Sequence, residues 1–227
     1  MIRPPRSIRA ATIDMASAGQ VPMDPMDLGV AIFMWSLMCI LMMTPSALPM
    51  VFTFGKVTRQ LDFHSHAILV GLFAITYLAV WAAFGAVAGA TEWLLDQHGI
   101  LLNGQLQNRA MADALLVVSG LYQWSALKNF CLSKCRSPLG FLLEHYRSGY
   151  WGALRVGALH AIFCLGCCWA VMLLAWVGGA MNLLWMLALT LLISAEKLLG
   201  VGLRIARASA FAFLGLGVFD IAPLLQH

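Results

Sequence analysis

Gly152-Ala-Leu-Arg-Val-Gly-Ala-Leu-His160-Ala-Ile-Phe-Cys164-Leu-Gly-Cys167-Cys168-Trp-Ala-Val-Met172-Leu-Leu-Ala-Trp-Val177 carries one charged side chain, Arg155, and neither proline nor an acidic residue. A helix needs about 20 predominantly apolar residues to cross the roughly 30 Å hydrocarbon layer of a bilayer, and this run exceeds that. Five further stretches approach the same length: Leu28 to Phe54, Ala67 to Ala90, Ala110 to Leu127, Ala180 to Leu199 and Ala208 to Leu225. The third span, Ala110 to Leu127, is short and carries Asp113 near its start. Gly178-Gly179 leaves only a tight turn between the fourth and fifth. The expected fold is all-α: a polytopic transmembrane helix bundle of about six spans, with residues 1–27 a loose extramembrane tail and residues 28–227 a single membrane domain.

Composition agrees. The 227 residues are 61% hydrophobic and 11% charged, too few charges to solvate the surface of a water-soluble protein of this size, so the partner expected around most of the chain is the lipid bilayer. That excludes a soluble enzyme, a disordered chain and a nucleic-acid-binding domain. The net charge of +4 is modest, and the basic residues are spread through connections, where they report orientation. With six spans, the first, third and fifth connections share Lys56, Arg59, Lys128, Lys134, Arg136, Arg147, Arg155, Lys197, Arg204 and Arg207. The positive-inside rule then places these connections in the cytoplasm and both termini outside. Met1 to Pro25 has no apolar core of a signal peptide.

At 100° per residue, His160, Cys164 and Cys167 fall within about 60° of one helix face, and Cys168 lies about 40° from Cys164. Imidazole and thiolate ligands suit Cu(I), with Zn(II) the second choice, whereas Mg or Ca would need oxygen ligands. Cysteine is equally a small buried hydrophobe, and His160 can serve simply as a hydrogen-bonding core residue. In the first span Met34, Met38 and Met42 recur every four residues, which suits thioether ligation or gap-filling packing. The first and fourth spans run antiparallel, which brings Met38 and Met42 to roughly the depth of His160 and Cys164. Pro45 and Pro49 should kink or unwind the first span.

Cys131 and Cys135 are separated by three residues in the third connection, flanked by Lys128, Lys134 and Arg136, whose charges would favour thiolates. Phe141 to Tyr146 reads as a short amphipathic helix at the interface. Glu196-Lys197 ends the fifth span, with Glu196 able to act as ligand, proton acceptor or partner of a basic residue such as Arg155, while Lys197 snorkels outward. His64-Ser-His66 reads as a solvated turn. No phosphate loop, dinucleotide fingerprint, H-E-x-x-H or G-x-S-x-G motif is present, so nothing points to enzymatic catalysis or to ATP-driven pumping within this chain.

The combination of Met34-Trp35 through Met42-Met43-x-Pro45-Ser46, Gly120-Leu-Tyr122-Gln123 through Cys131-x3-Cys135-Arg136-Ser137-Pro138, His160-x3-Cys164-x2-Cys167-Cys168-Trp169, Met181-Asn182-Leu-Leu-Trp185-Met186 and Glu196-Lys197 resembles a bacterial family of unknown function described as predicted metal-binding integral membrane proteins. The resemblance covers roughly Leu28 to Leu199 and implies a multi-helix membrane fold with a metal site. Its cysteine-rich helix corresponds to His160, Cys164, Cys167 and Cys168, its Met-rich helix to Met38, Met42 and Met43, and its Glu-Lys pair to Glu196 and Lys197. The expected function is therefore soft-metal handling, with His160, Cys164, Cys167, Cys168, Met38, Met42, Cys131, Cys135 and Glu196 as candidate ligands and a metal-donor or metal-acceptor protein as partner. The alternatives are a membrane thiol-disulfide redox relay between Cys164/Cys167 and Cys131/Cys135, or a structural or assembly subunit whose cysteines only pack.

Overall fold

The structure, a computed structural model, describes residues 27–60, 63–102 and 104–221; the expected N-terminal tail and the end of the sixth span lie outside them. The described residues are almost wholly helical: α1 (Leu28–Thr58), α2 (Phe63–Gln97), a two-stranded hairpin of β1 (Leu101–Leu102) and β2 (Gln105–Leu106), α3 (Arg109–Gln123), α4 (Ala126–Arg136), α5 (Pro138–His145), α6 (Tyr150–Leu173), α7 (Ala175–Gly178), α8 (Leu183–Leu198) and α9 (Gly202–Ile221). Helix starts follow local chemistry. Asp27, Asn108, Ser125 and Asn182 each accept a hydrogen bond from a backbone N–H of the first turn that has no helical partner.

Among the described residues three helical stretches are long and apolar enough to cross a membrane: Leu28–Thr58, Phe63–Gln97 and Tyr150–Gly178. They bear Phe33, Leu41, Phe52, Ile75, Val87 and Ile162 on their outer faces, large apolar side chains left exposed by the fold. The other expected spans are shorter as helices. The third breaks at Trp124, where Ser125 starts α4, so α3 has only 15 residues, about 22 Å of rise. The fifth, α8, has 16 residues. These two helices, with α4 and α9, bury polar groups that a hydropathy window averages away.

Helix α1 packs along α2, α2 along α6, α4 across α6, and α9 along α3. The α1–α2 approach is set by Gly85 and Gly89, one turn apart on α2: a Cβ at either would come within 3.0 Å of the Trp35–Ser36 or Ala31–Ile32 backbone. Gly157 on α6 lies equally close to the backbone of Phe73. The core between these helices is a continuous column containing Trp35, Cys39, Met42, Met43, Tyr77, Trp81, Cys164, Cys168 and Met172.

Of the expected kink or unwinding at Pro45 and Pro49, the unwinding does not occur: α1 stays helical through both. Neighbouring hydroxyls supply local bonds: Thr44 donates to the Ile40 carbonyl at 2.7 Å, Ser46 to Met43 at 2.9 Å and Thr53 to Pro49 at 2.7 Å. The expected turn at His64 to His66 is instead the first turn of α2, where His66 Nδ1 hydrogen-bonds Thr58 Oγ1 at 2.9 Å. The expected helix after Pro138 forms as α5, burying Phe141 and Leu142 while Leu139 and Leu143 point outward. The Gly178-Gly179 turn is tight: Gly179 adopts φ +91°, and the hairpin latches onto it through Gln105 Nε2 donating to the Val177 carbonyl at 3.0 Å.

Candidate metal centre

Helix α6 presents Cys164, Cys167 and Cys168 to the interior, each about 1% exposed. Their spacing places the Cys167 and Cys168 thiols one turn beyond Cys164, where both donate to the Cys164 carbonyl, at 3.0 and 2.9 Å. Helix α4 then adds what the sequence reading kept apart. It lies on α6 where Gly166 removes a side chain; a Cβ there would stand 2.8 Å from Cys131 Sγ. The next turn of α4 packs the partly buried Cys135 against the core that holds Cys164 and Cys167. Five of the six cysteines thus gather around one stretch of α6, and all are free thiols.

The thioether that meets this group is Met43. Its Sδ is 3.8 Å from Cys168 Sγ, with Met42 buried beside it. The antiparallel register of α1 against α6 and α7 is fixed by the contacts Met43 to Cys168 and Trp35 to Trp176, which are eight residues apart on both sides. Met38 therefore lies about 7.5 Å further along α1 than Met43 and is only partly buried against the cluster. The expected pairing of Met38 with the depth of Cys164 does not occur, because α1 continues to Thr58 and slides past the position that aligned span ends would give.

Lys197 does not snorkel to the surface. It is 6% exposed, and its ammonium sits inside the sulfur group, 2.8 Å from Cys164 Sγ, 3.8 Å from Met43 Sδ, 4.0 Å from Cys168 Sγ and 3.3 Å from Ser46 Oγ. Tyr77 Oη adds a contact of 3.1 Å to Cys164 Sγ. His160, one turn before Cys164, has its ring stacked on Tyr77 and Phe73, and its buried Nδ1 has no hydrogen-bond partner. Among the described residues no three His, Cys, Asp or Glu side chains stand in a ready-made metal geometry. The lysine occupies the space between the sulfurs instead.

Glu196 points the other way. Its Oε2 pairs with the fully buried Lys128 ammonium at 2.6 Å, and its Oε1 accepts from Gln123 Nε2 at 3.0 Å and from Ser209 Oγ at 3.4 Å. Lys128 also donates to Gln123 Oε1. Its partner is thus Lys128, not Arg155, and the carboxylate is fully engaged in a network that joins α3, α4, α8 and α9.

The expected activation of Cys131 and Cys135 by neighbouring cations also fails. Lys128 turns to Glu196 and Lys134 to the exposed Glu144, whose carboxyl it lowers. Burial pushes the Cys131 thiol up, and Cys135 is raised by its hydrogen bonds to Cys164 and Cys167.

Sequence reasoning missed Glu92. It is 1% exposed near the end of α2, and its Oε2 accepts the indole N–H of Trp35 and, at 3.3 Å, that of Trp176. Replacing Glu92 by leucine strands both indole N–H groups and is expected to lower stability by about 1–3 kcal/mol. Thermal unfolding in detergent, followed by tryptophan fluorescence, checks this; an unchanged midpoint and spectrum would contradict it.

The buried core of these helices gathers free thiols and a thioether, the ligand types that soft cations favour. A family model described as "Copper chaperone" (PpoB2) matches residues 32–219, and the chain belongs to that family. No curated protein and no solved structure matches the chain.

Proposed function

We propose that this protein is an integral membrane copper chaperone that accepts Cu(I) among Cys164, Cys168, Cys167 and Cys135, with Met43 as a thioether ligand, and passes it to an acceptor protein. The observation that carries the reading is the convergence of Cys164, Cys167 and Cys168 with Met43 in a buried core, with the partly buried Cys135 of α4 packed against them. Thiolate and thioether are the ligands that favour Cu(I). Two thiols on separate helices also permit stepwise handover, in which an incoming thiolate replaces one ligand at a time. His160, one turn away with a buried Nδ1 that has no hydrogen-bond partner, joins the proposed ligand set. The three long apolar helices support insertion in a bilayer, and Lys56, Arg59, Lys134, Arg136, Arg147, Arg204 and Arg207, which lie near helix ends or between helices, support a six-span arrangement in the bacterial inner membrane with both termini periplasmic.

The test is elemental analysis of detergent-purified protein loaded with Cu(I) under reducing conditions, wild type beside Cys164→Ser/Cys168→Ser. Near-stoichiometric copper in the wild type and its loss from the folded variant is the expected result; equal copper in both, or none in either, would refute the reading. Acid should also release the metal, because ligating thiols must be deprotonated, so retention is expected to fall steadily as pH is lowered.

A thiol redox relay is the second reading, favoured by Cys135, on a different helix, packing against the core that holds Cys164 and Cys167. It requires a disulfide intermediate. Trapping a Cys135–Cys164 or Cys135–Cys167 disulfide during turnover with a partner would support it, and permanently reduced thiols would exclude it.

A further inference from the structure

Among the described residues the ammonium of Lys197 is the one cationic group hydrogen-bonded to the sulfur cluster, and no carboxylate on its own helix pairs with it. The adjacent carboxylate, Glu196, is consumed by Lys128, Gln123 and Ser209. Among the described residues Lys197 forms no ion pair with a carboxylate; its polar neighbours are Cys164, Cys168, Met43 and Ser46, with Tyr77 across Cys164. A charge held 2.8 to 4.0 Å from the sulfurs in a buried site acts strongly on whatever ion those sulfurs take.

We infer that Lys197 sets the charge selectivity of the copper site, admitting a monovalent soft cation and rejecting divalent ions. The inference rests on the function proposed above and assigns the residue that discriminates at that site. With Cys164 and Cys168, the two cysteine sulfurs that the ammonium contacts, as the ligating thiolates and Met43 as a neutral ligand, the charges of the two thiolates, one Cu(I) and the Lys197 ammonium sum to zero. With Zn(II) in the same place the sum is +1, and an uncompensated charge in a dry interior is disfavoured. The lysine repels a divalent ion with twice the energy with which it repels a monovalent one. Removing it therefore favours Zn(II) relative to Cu(I), whatever it does to the absolute affinity of either. Zinc is the relevant competitor because it shares the preference for thiolate and imidazole ligands.

The experiment measures affinities of detergent-purified full-length protein for Cu(I) and for Zn(II), each against a chelator of known strength, in wild type, Lys197→Leu and Lys197→Arg. The expected result is a ratio of Cu(I) to Zn(II) affinity that falls tenfold or more in Lys197→Leu and returns toward wild type in Lys197→Arg, where the charge is restored. Lys197→Gln serves where leucine impairs folding. A merely structural lysine would lower both affinities together and leave the ratio unchanged, which would overturn the inference while leaving the copper site standing. A wild type that binds Zn(II) as readily as Cu(I) would overturn it as well. Failure of the wild type to bind either metal would refute the proposed function and this inference with it.

Discussion

Substituting methionine for Lys128 is expected to destabilise the fold by about 3–5 kcal/mol, the cost of leaving a buried carboxylate without its counter-ion. Lys128 is 0% exposed and Glu196 2% exposed, and they meet at 2.6 Å. Gln123 bonds both, and Ser209 bonds Gln123 at 2.8 Å. Each group in this network satisfies another, so removing the cation strands Glu196 Oε2 and Gln123 Oε1 together. The double variant Lys128→Met/Glu196→Leu removes both charges and should recover part of the loss, since a buried pair contributes little net stability over an apolar replacement. Unfolding midpoints in detergent check the order: wild type first, the double variant second, the single variant last. A single variant as stable as the wild type would contradict the network's role.

The second large effect is expected on α2. Leucine at Gly85 or Gly89 would place a side chain where the α1 backbone already lies, and backbone cannot move aside as a flexible side chain can. Overpacking a tight site costs about 1–3 kcal/mol in ordinary cores. Here it must also part α1 from α2, and α1 carries Met43 while α2 carries Tyr77. The double Gly85→Leu/Gly89→Leu variant should therefore lose folded protein, visible as aggregation on size exclusion, whereas Gly71→Ala, where a Cβ has open space, should behave as wild type. A monodisperse double variant with full copper capacity would show that the close approach is dispensable.

Much of this was legible before any coordinates. Hydropathy located the three long helices, and the 100° periodicity put Cys164, Cys167 and Cys168 on the interior of α6. Cys131 and Cys135 were visible as candidates, but their joining the same site was not, because α4 reaches α6 through a contact that depends on Gly166, a residue with no signal of its own in one sequence. The choice of Met43 over Met38 depended on how far α1 slides along α6, which composition and periodicity leave undetermined. Lys197 was misread for a physical reason: a lysine at a helix end normally snorkels, and the pairing of its neighbour Glu196 with a lysine 68 residues away is a tertiary fact. The spacing of Gly85 and Gly89 was a readable sign of close helix packing that hydropathy alone passes over.

X-ray absorption at the copper edge of Cu(I)-loaded, detergent-purified protein tests the central claim most directly, because it reports the atoms around the metal. The account predicts a first shell dominated by sulfur, with less sulfur when Cys164 is replaced by serine. A shell of nitrogen or oxygen without sulfur, or one identical in the Cys164→Ser variant, would place the copper elsewhere and contradict it.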